Sequence, residues 1–129
     1  MEYLLDTHTL LWALGEPEKL GASVRRILES EERVLLSPVS AFEIAQKHRV
    51  GKMPEAEALV DNYDEVIAPF RFTELPLRQG AALFAGKLQW SHRDPFDRML
   101  AAQAYLANAT LMTNDRVFQQ LPWLRTIWD

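Results

Sequence analysis

The 129 residues include no cysteine. That absence removes disulfides, thiolate nucleophiles, iron–sulfur clusters and Cys-based zinc sites, and it makes a reducing cytoplasm the expected compartment. No apolar run approaches the roughly 18 residues of a membrane span, and Met1 to Asp6 carries no basic leader segment, so the expectation is a chain neither exported nor membrane-embedded. A basic excess is lacking as well. Fourteen Lys and Arg stand against 18 Asp and Glu, and the formal charge of -4 has the wrong sign for binding nucleic acid by bulk electrostatics. What is present is ordinary for a globular chain, with 48% hydrophobic and 25% charged residues. The length fits a single domain over residues 1–129, which at this size buries roughly two thirds of its unfolded surface without staples.

Short apolar runs alternate with helical periodicity. Tyr3-Leu4-Leu5 predicts a strand, and Leu10, Leu11 and Leu14 a helix stopped at Gly15-Glu16-Pro17. Residues Ser23 to Glu29 predict a second helix, and Val34-Leu35-Leu36 a buried parallel strand. Ser37-Pro38 pairs a cap with a first-turn proline and opens a helix to about Val50, where Gly51 ends it. Glu55 to Glu65 holds five carboxylates and no base around Leu59, Val60 and Tyr63, with Ile67 continuing the spacing, and predicts one amphipathic helix. Phe70 to Glu74 alternates like a strand, and Leu77 to Leu88 holds a helix. Asp94-Pro95 starts another helix to about Ala107; then come a strand from Thr110 to Thr113, a short helix, and a terminal strand at Thr126 to Trp128. This order predicts an α/β sandwich around a mostly parallel sheet.

Sites in such sheets lie beyond the carboxyl ends of the strands. Asp6 and Asp115 each follow a strand and project from the same edge, although either residue alone also suits a turn or a cap. Glu43 falls on or beside the apolar stripe of its helix; Ser40-x-x-Glu43 also matches a capping box, so a functional and a capping role both stand. Asp97 shares a face with Leu100, Ala101 and Ala104, while Asp94 is placed to cap. Four carboxylates at one edge are costly, because two charges about 4 Å apart repel by roughly 4 kcal/mol at a surface-like dielectric. They either raise one another's pKa or hold a cation. An all-oxygen set favours Mg²⁺ or Mn²⁺, and such an ion suits phosphodiester hydrolysis.

Along nearly its whole length the sequence resembles PIN-domain ribonucleases, and among them the VapC-like toxins of bacterial toxin–antitoxin pairs. The resemblance is carried by Leu4-Leu5-Asp6-Thr7-His8 with Leu11-Trp12, by Ser37-Pro38-Val39-Ser40 with Glu43-Ile44, by His92-Arg93-Asp94-Pro95-Phe96-Asp97-Arg98 leading into Ala101-Ala102-Gln103-Ala104, and by Thr113-Asn114-Asp115. It implies a PIN-like three-layer sandwich and a metal-dependent endoribonuclease. Asp6, Glu43, Asp97 and Asp115 would form the acidic cluster, with Asp6 and Asp97 first among the ligands of Mg²⁺ or Mn²⁺. It also implies Thr7 and Thr113 as polar neighbours, an RNA substrate, an antitoxin that occludes the site, and a homodimer.

Phosphate contacts need local positive charge. Lys47, Arg49 and Lys52 form one acid-free group, and His92, Arg93 and Arg98 flank the Asp94–Asp97 turn. Arg93, Arg98 and Lys47 are therefore candidates for substrate contact, and the resemblance adds Thr7, Thr113 and Asn114. His8 and His48 read as structural, and Trp12, Trp90, Trp123 and Trp128 as core or interface. A phosphatase with Asp6 as nucleophile fits less well, because His8 stands where a second aspartate is needed. A non-catalytic module that grips RNA or protein on the same fold is the remaining alternative.

Overall fold

The computed structural model describes all residues, Met1–Asp129. Its frame is a five-stranded sheet of β1 (Glu2–Leu5), β2 (Arg33–Leu36), β3 (Thr73–Glu74), β4 (Thr110–Met112) and β5 (Thr126–Ile127), in the order β3-β2-β1-β4-β5. Every strand pair is parallel, with Leu4 beside Leu35 on one side and Leu111 on the other. The helices are α1 (Thr7–Gly15), α2 (Ala22–Leu28), α3 (Pro38–Arg49), α4 (Glu57–Asp61), α5 (Tyr63–Ile67), α6 (Gln79–Lys87) and α7 (Pro95–Leu106).

The alternation of side chains along each strand explains the three layers. Leu5, Val34, Leu36 and Met112 face one side and pack with Leu10, Val24 and Ile44 from α1, α2 and α3. Leu4, Leu35 and Leu111 face the other and pack with Leu100 and Ala104 of α7 and with Phe118. Because both faces are covered, the strands read as unbroken apolar runs rather than as an alternating pattern. The sheet with its two covering layers is thus an α/β sandwich.

Local signals fix the helix starts. Ser37 accepts from the Val39 amide at 3.0 Å with Pro38 in the first turn, and its hydroxyl donates to Gln103 Oε1 at 2.5 Å. Gly51 ends α3 at a φ of 85°, a left-handed backbone that disfavours any side chain. Asp94 accepts from the Asp97 amide at 3.0 Å and so caps α7.

Two expectations need correction. The single amphipathic helix over 55–65 is a turn at Pro54–Ala56 followed by α4 and α5. Asn62 breaks it with a non-helical backbone (φ −133°, ψ 42°), its side-chain amide reaching back to the Ala58 carbonyl at 3.4 Å. The strand expected from Phe70 is only Thr73–Glu74, because Ala68–Phe70 forms a 3₁₀ turn and Arg71 is left-handed at φ 57°.

Candidate active site

Strand order reverses between β1 and β4, since the chain builds outward from β1 through β2 to β3 and then returns to the other side. The crevice beyond that junction is where ligands of open α/β sheets bind. Asp6 ends β1 there. Its amide donates to the Met112 carbonyl of β4 at 3.2 Å, and its Oδ1 accepts from the Thr9 amide at 2.8 Å, making it the cap of α1. Burial raises its pKa above the usual carboxylate value, against hydrogen bonds from Thr113 and Thr9 that lower it.

Thr7 is buried and shares a 3.0 Å hydrogen bond with the Ser40 hydroxyl of α3. One turn further along α3, Glu43 is buried, with 5% of its surface exposed, and is paired at 2.5 Å with Lys47. The capping-box reading of Glu43 therefore gives way, since Ser37 is the cap and the carboxylate turns to a lysine instead. Lys47 is accordingly that carboxylate's counter-ion before it is anything else.

Asp97, in the first turn of α7, accepts from His92 Nε2 at 2.7 Å through Oδ2. Its pKa is pushed up to about 6, first by burial and then by the charges of Asp94 and Glu43, against the lowering effect of His92. The ligand atoms of His92, Asp94 and Asp97 all lie within 4.8 Å of one another. Glu43, Asp94, Asp97 and His92 therefore form one electrostatic group, and Asp6 with Thr113 forms another, whose neighbour Thr7 is hydrogen-bonded to Ser40 on the helix that carries Glu43.

The other candidates are placed differently. Asp115 is exposed, and its carboxylate caps the 3₁₀ turn Arg116–Gln120 through the Val117 amide at 3.0 Å. Its own amide donates to Thr113 Oγ1 at 3.0 Å, which links it to the Asp6 side. Asn114 and Arg93 are exposed. Arg98 corrects the expectation of a phosphate contact. Its guanidinium donates to the carbonyls of Ala85, Leu88, Trp90 and His92 at 2.6–3.0 Å, which occupies four of its five N–H groups.

Sequence reasoning missed Ser40 as the partner of Thr7, and it took His92 for a phosphate contact rather than the partner of Asp97. The available signal was the spacing His92-x-Asp94-x-x-Asp97, which brings an imidazole and two carboxylates to one helix start.

A family model described as PIN domain matches residues 3–124. No curated protein matches the sequence. Among solved structures the fold is similar to VapBC2 from Rickettsia felis bound to a DNA fragment from its promoter, with a TM-score of 0.71, 21% identity, and 100% of both chains covered. A DNA-bound VapBC from Salmonella typhimurium gives a TM-score of 0.71 at 19% identity over 98% of this chain and 97% of that one. A toxin–antitoxin complex from Klebsiella pneumoniae gives 0.62 at 17% identity over 97% and 95%. At these identities the likeness is one of fold.

Proposed function

The chain belongs to the PIN-domain family, and from that footing we propose that it is a metal-dependent endoribonuclease acting as the toxin of a toxin–antitoxin pair. The observations that carry the reading are buried Asp6 at the β1–β4 junction, tied through Thr7 and Ser40 to the helix that holds buried Glu43, and Asp97, which feels the charge of Glu43; Asp6 and Asp97 both have raised pKa values. Raised carboxylate pKa values mark groups whose charge lacks compensation by solvent, and a divalent cation is the partner that compensates several at once. The donor chemistry fits Mg²⁺ or Mn²⁺.

Asp6 and Asp97 are the proposed ligands, with Glu43 and Asp115 in support. A hard divalent ion held there supplies an activated water and offsets charge on a phosphate. The protein's own contribution is order. Thr9 and Thr113 hold the Asp6 carboxylate, Lys47 holds Glu43, and His92 holds Asp97, so the oxygens are positioned before substrate arrives. Arg93, exposed and without an ion-pair partner, is the first candidate for a backbone phosphate, with Lys47, Thr7, Thr113 and Asn114 as further contacts.

Clefts of about 520 Å³, lined by His8, Trp12, Lys52 and Leu59 among others, and about 450 Å³, lined by Phe42, Leu77, Phe96 and Met99 among others, leave these carboxylates outside. An open edge suits a polymer better than an enclosed small molecule. No helix is long and apolar enough to cross a membrane. One of the similar solved structures is a toxin–antitoxin complex, and this supports an antitoxin as partner here. Residues 1–129 are proposed as a single domain, cytoplasmic and homodimeric.

The test is incubation of the purified protein with a total RNA pool in Mg²⁺, Mn²⁺ or EDTA, alongside Asp6→Asn, with cut ends mapped by sequencing. Discrete metal-dependent cuts that vanish in Asp6→Asn are expected. A folded, metal-binding, antitoxin-free sample that binds RNA and never cuts it would move the assignment to a non-catalytic binding module.

A further inference from the structure

Three ligand-bearing side chains meet at the start of α7, and one of them is an imidazole. His92 Nε2 stands 2.7 Å from Asp97 Oδ2, and an oxygen of Asp94 completes a group whose atoms are all within 4.8 Å of one another. Asp94 spends only Oδ1 on capping the Asp97 amide, so its second oxygen is free to face the group. We propose that His92 is itself a metal ligand, so that the site is a mixed nitrogen–oxygen one that prefers a first-row transition ion such as Mn²⁺ over Mg²⁺. This rests on the nuclease reading above and refines its metal, for which carboxylates alone leave the two ions nearly equivalent.

The His92–Asp97 pair is close to the spacing an ion requires. Neighbouring ligands on an octahedral ion with bonds of ~2.1 Å stand ~3 Å apart. His92 Nε2 and Asp97 Oδ2, at 2.7 Å, need to separate by only a few tenths of an ångström to share one.

The imidazole is also held in place. Its ring centroid lies 5.0 Å from that of Trp90, and the Trp90 indole donates to Gln120 Oε1 at 2.8 Å. Arg98 takes the carbonyls of both Trp90 and His92 at 2.9 Å, which pins the backbone on which the ring is mounted. The His92 side chain is 27% exposed, so the ring is packed in place while still reaching solvent. A ligand ordered in advance loses little entropy on binding.

The discrimination follows from ion chemistry. Mg²⁺ is a hard ion that keeps several waters and gains little from an imidazole, whereas first-row ions bind nitrogen progressively better along the series. His8, beside Asp6, is exposed and tilts toward Trp12 with ring centroids 6.0 Å apart, so it serves as the control.

The experiment uses the full chain and the metal alone. Mn²⁺ and Mg²⁺ affinities are measured by titration calorimetry for the wild type, His92→Asn, His8→Asn and Asp97→Asn, and Mn²⁺-loaded samples are examined by pulsed EPR for coupling to a directly bound nitrogen. The expected result is nitrogen coupling in the wild type and in His8→Asn but not in His92→Asn. The Mn²⁺ affinity of His92→Asn should fall at least ~10-fold, the scale on which even outer-sphere partners act, with Mg²⁺ affinity changed little. Absence of nitrogen coupling in the wild type overturns the proposal even if the variant fails to fold. So does unchanged Mn²⁺ affinity in His92→Asn. Either result leaves the nuclease reading intact provided that Asp97→Asn abolishes binding. No binding of either ion to folded wild type removes both.

Discussion

Replacing Asp97 by asparagine should stabilise the metal-free protein at pH 8 while ending RNA cleavage. The carboxyl's pKa is pushed up to about 6 from 3.8, mainly by burial. A group that holds its proton more tightly when folded adds stability that is fully present below the unfolded pKa and is lost as pH rises through about 6. At pH 8 the ionised form therefore weighs against folding. Two pKa units correspond to roughly 3 kcal/mol at most, and the group's partial exposure screens this to about half. Asparagine keeps a polar partner for His92 but loses about 0.5 kcal/mol of favourable charge at the helix start. The net gain is about 1 kcal/mol, or roughly 3–5 °C in Tm for a chain of this size. Thermal unfolding followed by circular dichroism in EDTA at pH 4 and pH 8 reads it directly. The gain should be near zero at pH 4, where both side chains are neutral in the folded protein. A variant less stable than wild type at pH 8, or a difference independent of pH, refutes the reasoning. Sharply lower stability with cleavage intact would make Asp97 a structural residue of the helix start.

Arg98→Met removes the donor to four carbonyls, and a loss of about 2–4 kcal/mol is expected. Hydrogen exchange should accelerate first in residues 85–93, and unchanged protection there would contradict the account. In Gly21→Ala the new Cβ would meet the Trp128 carbonyl oxygen at 2.3 Å. A cost of about 1–3 kcal/mol and altered tryptophan fluorescence should follow, and a neutral substitution would mean that the C-terminal segment does not pack as described. Ser37→Ala deletes both the α3 cap and the bond to Gln103, at about 1–2 kcal/mol by urea unfolding. A change below about 0.3 kcal/mol, smaller than a lost cap alone costs, would show that the Ser37 hydroxyl is dispensable.

The parts of the fold legible in the sequence were those specified locally. Ser37-Pro38, Asp94-Pro95 and Gly51 announce helix ends through capping and backbone geometry, and the apolar triplets announce strands covered on both faces. The break at Asn62 was not legible, because the apolar spacing continues through it while the backbone does not. The same limit applied at the candidate site. The burial of Asp6 and Glu43 and the half-buried place of Asp97 could be read from position, since each departs from the pattern expected of its element. The assignment of Arg98 to carbonyls and of exposed Arg93 to solvent depends on how the segment from Leu88 to His92 folds back on α7, and composition holds no trace of that. His92 was visible as a histidine near acids, but only the folded turn brings its ring within 2.7 Å of Asp97.

Both margins of the sheet are only two residues long, Thr73–Glu74 on one side and Thr126–Ile127 on the other. A strand that short presents one or two free peptide groups, too few to template a further strand from another molecule. The interior strands, rich in leucine and of the kind that aggregate when exposed, are fenced from both directions. Short margins of this kind discourage growth of the sheet by strand addition.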